Sequence, residues 1–150
     1  MSEEVQKTFQ IQKIYTKNVS FESPNTPELF TTEFQPELSV DLNVESNGLQ
    51  ESVYHVLLRV TATTKVEEKT AFLCEVEQAG IFTLAGFKEE EISYLLGAQC
   101  PNTLFPYARE AVSDLVMKGG FPQLLLEPVN FEAMYYEHLN AQQQKAETEQ

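Results

Sequence analysis

The chain has 150 residues and a mass of 17.1 kDa, the size of one domain that can bury a sizeable core. Ten Lys and Arg against 23 Asp and Glu leave a net charge of −13, which argues against binding to nucleic acid or to an anionic membrane surface. A hydrophobic share of 42% excludes disorder throughout, and the charge favours a basic or an apolar partner.

The first seven residues lack the positive region and the apolar stretch of a secretory signal. No window approaches about 18 consecutive apolar residues, so we expect no direct membrane insertion. The two cysteines, Cys74 and Cys100, form no disulfide framework in a chain of this size, and a reducing compartment fits. We therefore expect a cytoplasmic protein.

The first predicted strand covers residues 9–22, where apolar and polar residues alternate and Ile14 is an exception. The alternation places Tyr15 on the same face as Phe9 and Phe21. Residues 23–27 end the strand, because neither of their prolines can donate a hydrogen bond to a neighbouring strand. The connection that follows carries three apolar side chains where polar ones are expected: Leu29, Phe30 and Phe34.

Three further strands follow in the first half of the chain. Residues 38–45 alternate between apolar and polar, and Asn47-Gly48 is a strong signal for the turn of a hairpin. The third strand is predicted at residues 52–66, an acidic turn at Glu67-Glu68, and the fourth strand at residues 70–86. Consecutive strands with short connections predict an antiparallel meander.

After Gly86 the apolar residues recur at helical spacing. Pro101 and Pro106 are expected to interrupt or restart the helix, and Gly119-Gly120 to end it. Asn130 is a candidate N-cap for a final helix. The chain is therefore predicted to be α+β, with a flexible N-terminus over residues 1–8, one domain over residues 9–141 and a disordered polar tail over residues 142–150.

Groups able to carry catalysis are not found together in the sequence. His55 and His138 have no carboxylate or cysteine at a metal-ligand spacing such as CxxC or HxxxH. Residues 89–91 are three glutamates at a predicted helix N-terminus, where the helix dipole favours negative charge. We expect no enzyme, no metal and no cofactor.

The fourth strand has a face that could bind a cationic partner. Its alternation puts Leu73, Glu75 and Glu77 on one face and the residues between them on the other. This face of the fourth strand is either an ordinary solvated surface or a docking site. The apolar connection leaves a similar choice, because its side chains either pack under the final helix or line a groove for another chain.

Four segments of the sequence resemble the SecB family of protein-export chaperones, and they occur in family order between about residues 9 and 139. The segments are residues 11–22 (IQKIYTKNVSFE), residues 71–76 and 80–82 (AFLCEV and GIF), residues 104–110 (LFPYARE), and residues 121–122 with 128–131 (FP and PVNF). None of these segments is a catalytic signature.

The resemblance implies a four-stranded antiparallel sheet with a long first crossover loop, two main helices on one face, and assembly as a dimer of dimers. It implies an ATP-independent holdase that keeps unfolded precursor proteins competent for translocation and delivers them to the motor SecA. By position, SecA's basic zinc-binding tail would dock on Glu22, Leu73 and Glu75, with Asn18 where the family commonly has an aspartate.

The same matching implies two further sets of residues. The client groove would involve six residues: Phe34, Leu38, Val40, Leu42, Tyr135 and Leu139. The positions associated with assembly are Cys74, Val76 and Gln78. An adaptor or small-ligand carrier that uses the groove for one apolar partner is the alternative hypothesis, and an enzyme ranks third.

Overall fold

The computed structural model describes residues 6–148, and its centre is a four-stranded antiparallel sheet. The strands are β1 (Thr8–Glu22), β2 (Glu37–Gln50), β3 (Val53–Val66) and β4 (Lys69–Ala85), and their order in the sheet is β1-β4-β3-β2. The expected four-stranded antiparallel sheet is confirmed, but only β2, β3 and β4 form a meander. The long connection after β1 crosses the sheet, so β1 pairs with β4 and not with β2.

Two extra residues in β1 change which side chains face which way. Gln12 and Lys17 fall at register shifts against β4, and each shift reverses the alternation. Between the shifts Ile14 lies opposite Gly80 and Tyr15 opposite Ala79, so Ile14 shares the helix-covered face and Tyr15 the other one. The expected placement of Tyr15 beside Phe9 and Phe21 is therefore wrong, and the exception at Ile14 is explained.

The turn between β2 and β3 lies further along the chain than the Asn-Gly signal indicates. Gly48 pairs with Tyr54 inside the ladder, and the turn falls at Glu51 and Ser52, where Ser52 has a φ of 62°. Pairing continues past Gly48 because β3 supplies partners as far as Val53. The predicted hairpin exists, and the predicted turn position is wrong. The turn at Glu67-Glu68 is confirmed, with φ values of 50° and 68°.

The helical layer begins with one continuous stretch from Glu89 to Lys118. It consists of α1 (Glu89–Tyr94), a π-helical segment (Leu95–Gln99) and α2 (Cys100–Lys118). Pro106 lies inside α2 without interrupting it, contrary to expectation. Proline has no N–H to donate to the carbonyl four residues earlier, but Pro106 is exposed, so on this side of the helix solvent can bond to that carbonyl. Gly119 and Gly120 end α2 as predicted, with Gly120 at a φ of 88°.

The core lies between α2 and the β3–β4 half of the sheet. The inward side of α2 repeats at helical spacing, and its buried members are Leu104, Ala108, Val112 and Val116. They cover β-strand residues that are fully buried: Leu58, Val60, Val76 and Phe82. No helix among the described residues is long and apolar enough to cross a membrane.

The crossover connection packs on an aromatic cluster at one end of the sheet. Phe121, in the connection after α2, has its ring centroid 5.2 Å from that of Phe30 and 5.9 Å from that of Phe34. It also contacts Phe21 and Phe72, which belong to β1 and β4. The loop aromatics therefore pack on the α2–α3 connection, and not under the final helix.

The final helix, α3 (Phe131–Thr148), is longer than expected. The side chain of Asn130 caps it as predicted, accepting a hydrogen bond from the Ala133 N–H at 2.9 Å. Residues 142–148 of the predicted disordered tail continue the helix, because Gln, Lys, Ala and Glu are good helix formers, and residues 149–150 of that tail lie outside the described residues. Of the predicted flexible N-terminus, residues 1–5 lie outside the described residues, while Lys7 is ion-paired with Glu91 at 2.7 Å.

Candidate functional site

The open face of the sheet brings the four predicted docking residues together. Residues directly opposite each other on paired strands share a face. Glu22 of β1 lies opposite Leu73 of β4, Ser20 lies opposite Glu75, and Asn18 lies opposite Glu77. Leu73 is 37% exposed despite its apolar side chain. We call the surface made by Asn18, Glu22, Leu73, Glu75 and Glu77 the acidic face.

Sequence reasoning missed Arg59, which lies beside the acidic face on β3. Its Nε is 3.2 Å from the Glu75 carboxylate and 3.4 Å from the Glu77 carboxylate, and a terminal nitrogen is 3.5 Å from Glu45 of β2. The available signal was the alternation of β3, because Leu58 and Val60 on the helix side leave Arg59 on the open side.

Charge differs between the two ends of the open face. Burial alone would lower the pKa of the Arg59 guanidinium, but hydrogen bonding and charge from Glu77 and Glu45 outweigh it and raise that pKa. At the other end the Tyr15 hydroxyl is 2.7 Å from Nε2 of His55. Burial, and then the charge of Lys17, lower the pKa of His55, which keeps this imidazole neutral near pH 7. The end of the open face at Arg59 therefore carries a net negative charge, because three carboxylates surround one guanidinium.

A groove with a cavity volume of about 810 Å³ runs between β2 and the helical layer. Leu42 and Val44 line it from β2, and Ile92, Met134 and Tyr135 line it from the helices. β2 is the outer strand of the sheet, so along its free edge the backbone has no strand partner within the described chain. The groove thus combines a partly apolar lining with the free backbone donors and acceptors at the edge of β2.

Tyr135 is held at the groove by contacts with the end of α1 and with the π-helical segment that follows it. Its hydroxyl is 2.8 Å from the Ser93 Oγ, and its ring meets the Tyr94 ring edge-on at 5.7 Å. Gly97 allows this approach, because a Cβ atom there would lie only 2.5 Å from a carbon of the Tyr135 ring. No local pattern marks Gly97 as part of the groove, since its role depends on contact with a residue 38 positions later.

The other predicted client residues extend along β2 and α3. Leu38 and Val40 lie on the same face of β2 as Leu42 and are 47% and 38% exposed. Leu139 lies one turn after Tyr135 and is half-buried, outside the lining of the cavity. Phe34 is half-buried in the aromatic cluster at the end of the sheet. The structure therefore brings Leu42 and Tyr135 together in the groove and leaves Phe34, Leu38, Val40 and Leu139 outside its lining.

The three predicted assembly residues are buried within one chain. Cys74 and Val76 are fully buried beneath the helical layer, and Gln78 is 3% exposed. The Gln78 amide donates to the Tyr15 carbonyl at 3.0 Å and accepts from the Thr16 hydroxyl at 3.3 Å, which ties β4 to β1. Their side chains are therefore not available on the surface of this chain for direct contact with another one.

The buried thiols lack activation. Burial raises the pKa of Cys74 to about 11 and that of Cys100 to about 12, so both stay protonated and unreactive near neutral pH. Within residues 6–148 no three His, Cys, Asp or Glu side chains gather in a way that could hold a metal ion.

Comparison with known proteins agrees with this geometry. The SecB family, preprotein translocase subunit SecB, matches residues 2–143. A protein-export protein SecB of Hydrogenovibrio crunogenus is 73% identical over 143 residues, covering 95% of this chain and 96% of the relative. One of Methylococcus capsulatus is 55% identical over 150 residues, covering 98% and 97%.

A solved structure shares the fold. A SecB-like chaperone of Mycobacterium tuberculosis, in complex with a peptide from the HigA1 antitoxin, superposes with a TM-score of 0.68 and 19% identity. The superposition covers 81% of this chain and 90% of that one. On the strength of the family match and the two relatives, this chain belongs to the SecB family of protein-export chaperones.

Proposed function

We propose that this chaperone is an ATP-independent holdase of the cytoplasm, which binds unfolded precursor proteins and delivers them to SecA. The observation that carries the proposal is the open groove of about 810 Å³ beside the free edge of β2. Apolar side chains make up about half of its lining, polar ones such as Asn43, Glu89 and Glu137 complete it, and the strand edge beside it offers backbone hydrogen bonds, which every polypeptide can make. Such a site suits extended chains of many sequences.

Weak, repeated contacts would hold the client. Each apolar patch gains about 25 cal/mol for every Å² that it removes from water, which is little for a shallow patch. A client that covers Leu38, Val40, the Leu42–Tyr135 groove and Leu139 in succession gains affinity because the later contacts are intramolecular. Because the client is bound while unfolded, the fraction that folds early is lowered. No nucleotide is needed, and release falls to the motor.

SecA is proposed to dock on the acidic face through its basic zinc-binding tail. Glu22 and Glu75 would attract the tail's cations, and the exposed Leu73 between them would supply apolar contact. Asn18 contributes no charge where the family commonly has an aspartate. Glu77, directly opposite Asn18, supplies negative charge at the same level of the sheet.

Assembly as a dimer of dimers is part of the proposal. Two features support a partner copy. The first is the free edge of β1, where Ile11 and Val19 are each 44% exposed. The second is a group of large apolar side chains on and beside the outer side of α2, namely Tyr107, Met117 and Leu125, which are 52%, 47% and 72% exposed. Four copies would carry a charge of −52, which keeps the complex soluble and attracts basic segments of clients. Cys74, Val76 and Gln78 would then act on assembly indirectly, by fixing β1 on β4.

Suppression of client aggregation tests the holdase. Chemically unfolded clients of unrelated sequence are diluted into buffer with the protein and no nucleotide, and light scattering is followed. Leu38→Ser and Leu49→Ser are matched variants, because both leucines lie on β2 and are 47% and 52% exposed, but Leu38 shares a face of β2 with Leu42, whereas Leu49 lies at a register shift beside the turn to β3. We expect Leu38→Ser alone to weaken suppression. Protection of a single client would favour an adaptor, and protection of none would refute the proposal.

Charge reversal tests the docking surface. Glu75→Lys should weaken binding to SecA and leave client binding almost unchanged, because the two surfaces are on different sides of the sheet. Glu127→Lys makes the same charge change at an exposed position after α2 and serves as the control. If both activities fell together in Glu75→Lys, the separation of the two surfaces would be wrong.

A further inference from the structure

The geometry points to Arg59 as an internal counter-ion that competes with a cationic partner for Glu75 and Glu77. The inference rests on the proposed docking of SecA and names the residue that sets its affinity. In this view the acidic face is partly occupied in the free protein by a side chain of the same subunit. A partner must share or displace that side chain in order to bind.

The central strands position Arg59 for this role. It lies on β3 directly opposite Glu77 of β4, and Thr61, two residues later on the same face, lies opposite Glu75. Its Nε reaches both carboxylates, at 3.2 Å for Glu75 and 3.4 Å for Glu77. The Nε donates its hydrogen bond to Glu77, so Glu75 is held by ion pairing without that hydrogen bond and its carboxylate oxygens stay available to a partner.

Exposure shows which charges a partner can reach. The Glu77 side chain is only 16% exposed and that of Arg59 is 29% exposed, whereas that of Glu75 is 34% exposed. A partner's cation would therefore meet Glu75 first and reach Glu77 only as Arg59 yields. Three carboxylates and one guanidinium leave this cluster with a net charge of −2, so it still attracts a cation.

Glu45 provides a way to separate competition from net charge. It binds Arg59 from β2 at 3.5 Å and is the most exposed of the three acids, at 58%. Removing Arg59 alone changes the cluster charge to −3. Removing Arg59 and Glu45 together restores −2 but leaves Glu75 and Glu77 free of their internal partner. Competition and net charge therefore predict different affinities for the double variant.

The test measures binding of a zinc-loaded peptide of the SecA tail to the full-length protein by calorimetry. We expect Arg59→Gln to bind about three- to five-fold more tightly than wild type, the range of a partly exposed ion pair. Arg59→Lys, which keeps the charge, should stay close to wild type. Arg59→Gln/Glu45→Gln should remain tighter than wild type. All differences should shrink at about 0.5 M NaCl, because salt screens exposed charges.

Each other outcome overturns the inference in a distinguishable way. Equal or weaker binding by Arg59→Gln would show that Arg59 does not compete. Tight binding by Arg59→Gln with wild-type affinity in the double variant would assign the effect to net charge alone. Absence of binding by wild type itself would refute the proposed docking as well. Urea unfolding of each variant checks that the fold is intact, and the charge-restored double variant remains informative if Arg59→Gln folds poorly.

Discussion

Replacing Gly97 by Ala tests whether the close contact with Tyr135 maintains the groove. The new Cβ would lie 2.5 Å from the Tyr135 ring, so the ring must retreat by roughly 1 Å to reach an ordinary carbon–carbon contact. That movement breaks the 2.8 Å hydrogen bond to Ser93 and pushes the ring toward the groove. We therefore expect weaker client binding together with a loss of stability.

The expected loss of stability is the sum of three contributions, of which two lower the free energy of unfolding and one raises it. Overpacking costs about 1–3 kcal/mol. The exposed hydrogen bond between Ser93 and Tyr135 contributes about 0.5 kcal/mol. Alanine has a higher helix propensity than glycine and returns about 1 kcal/mol. The net loss in the free energy of unfolding is about 0.5–2.5 kcal/mol.

Two measurements on the same variant check this reasoning. Urea denaturation gives the free energy of unfolding, and fluorescence titration with an unfolded client gives the affinity, which we expect to fall several-fold. Gly48→Ala is the control, because a Cβ at Gly48 meets no atom within 4 Å. It should leave client affinity unchanged and raise the free energy of unfolding by about 0.5–1 kcal/mol, the cost of glycine in a strand. If Gly97→Ala were more stable than wild type and bound clients equally well, the proposed role of the Gly97–Tyr135 contact would be refuted.

Three further outcomes are expected. Phe121→Ala should lose about 3–5 kcal/mol in urea denaturation, because Phe121 is 6% exposed at the centre of the aromatic cluster, and a loss below about 1 kcal/mol would contradict this. Leu139→Ala should lower client affinity in fluorescence titration more than stability, whereas a loss of about 2–5 kcal/mol would place Leu139 in the core. Cys74 and Cys100 should react with a thiol reagent only on unfolding, because burial raises the pKa of Cys74 to about 11 and that of Cys100 to about 12. Rapid labelling of either thiol in the folded protein would disprove their protection.

Periodicity predicted the elements that are long and regular. β3 and β4 alternate cleanly, so their boundaries and faces were foreseen to within about two residues. The alternation of β4 also placed Leu73, Glu75 and Glu77 together on the open face. β1 was less predictable, because its extra residues at Gln12 and Lys17 interact with β4, far away in the sequence.

The candidate site could be predicted only in part from the sequence, because some of its residues depend on contacts between distant elements. Leu38, Val40 and Leu42 share a face through local alternation, which sequence reasoning captures. Arg59 and Gly97 depend on partners from other elements, and no local pattern reveals such contacts. The turn after β2 was misplaced because strand pairing overrode the local preference of Asn-Gly. What the sequence could not supply was therefore the tertiary contacts.

A free outer strand ordinarily invites self-association into larger aggregates, and proteins blunt such strands with charge. β2 carries Glu37, Asp41 and Glu45 at every fourth position along its length. Two copies brought edge to edge would set these rows of carboxylates against each other, whereas a neutral or basic stretch of foreign chain would meet no such repulsion. The carboxylates of β2 thus leave its edge available to foreign chains and disfavour edge-to-edge pairing with a second copy of the protein.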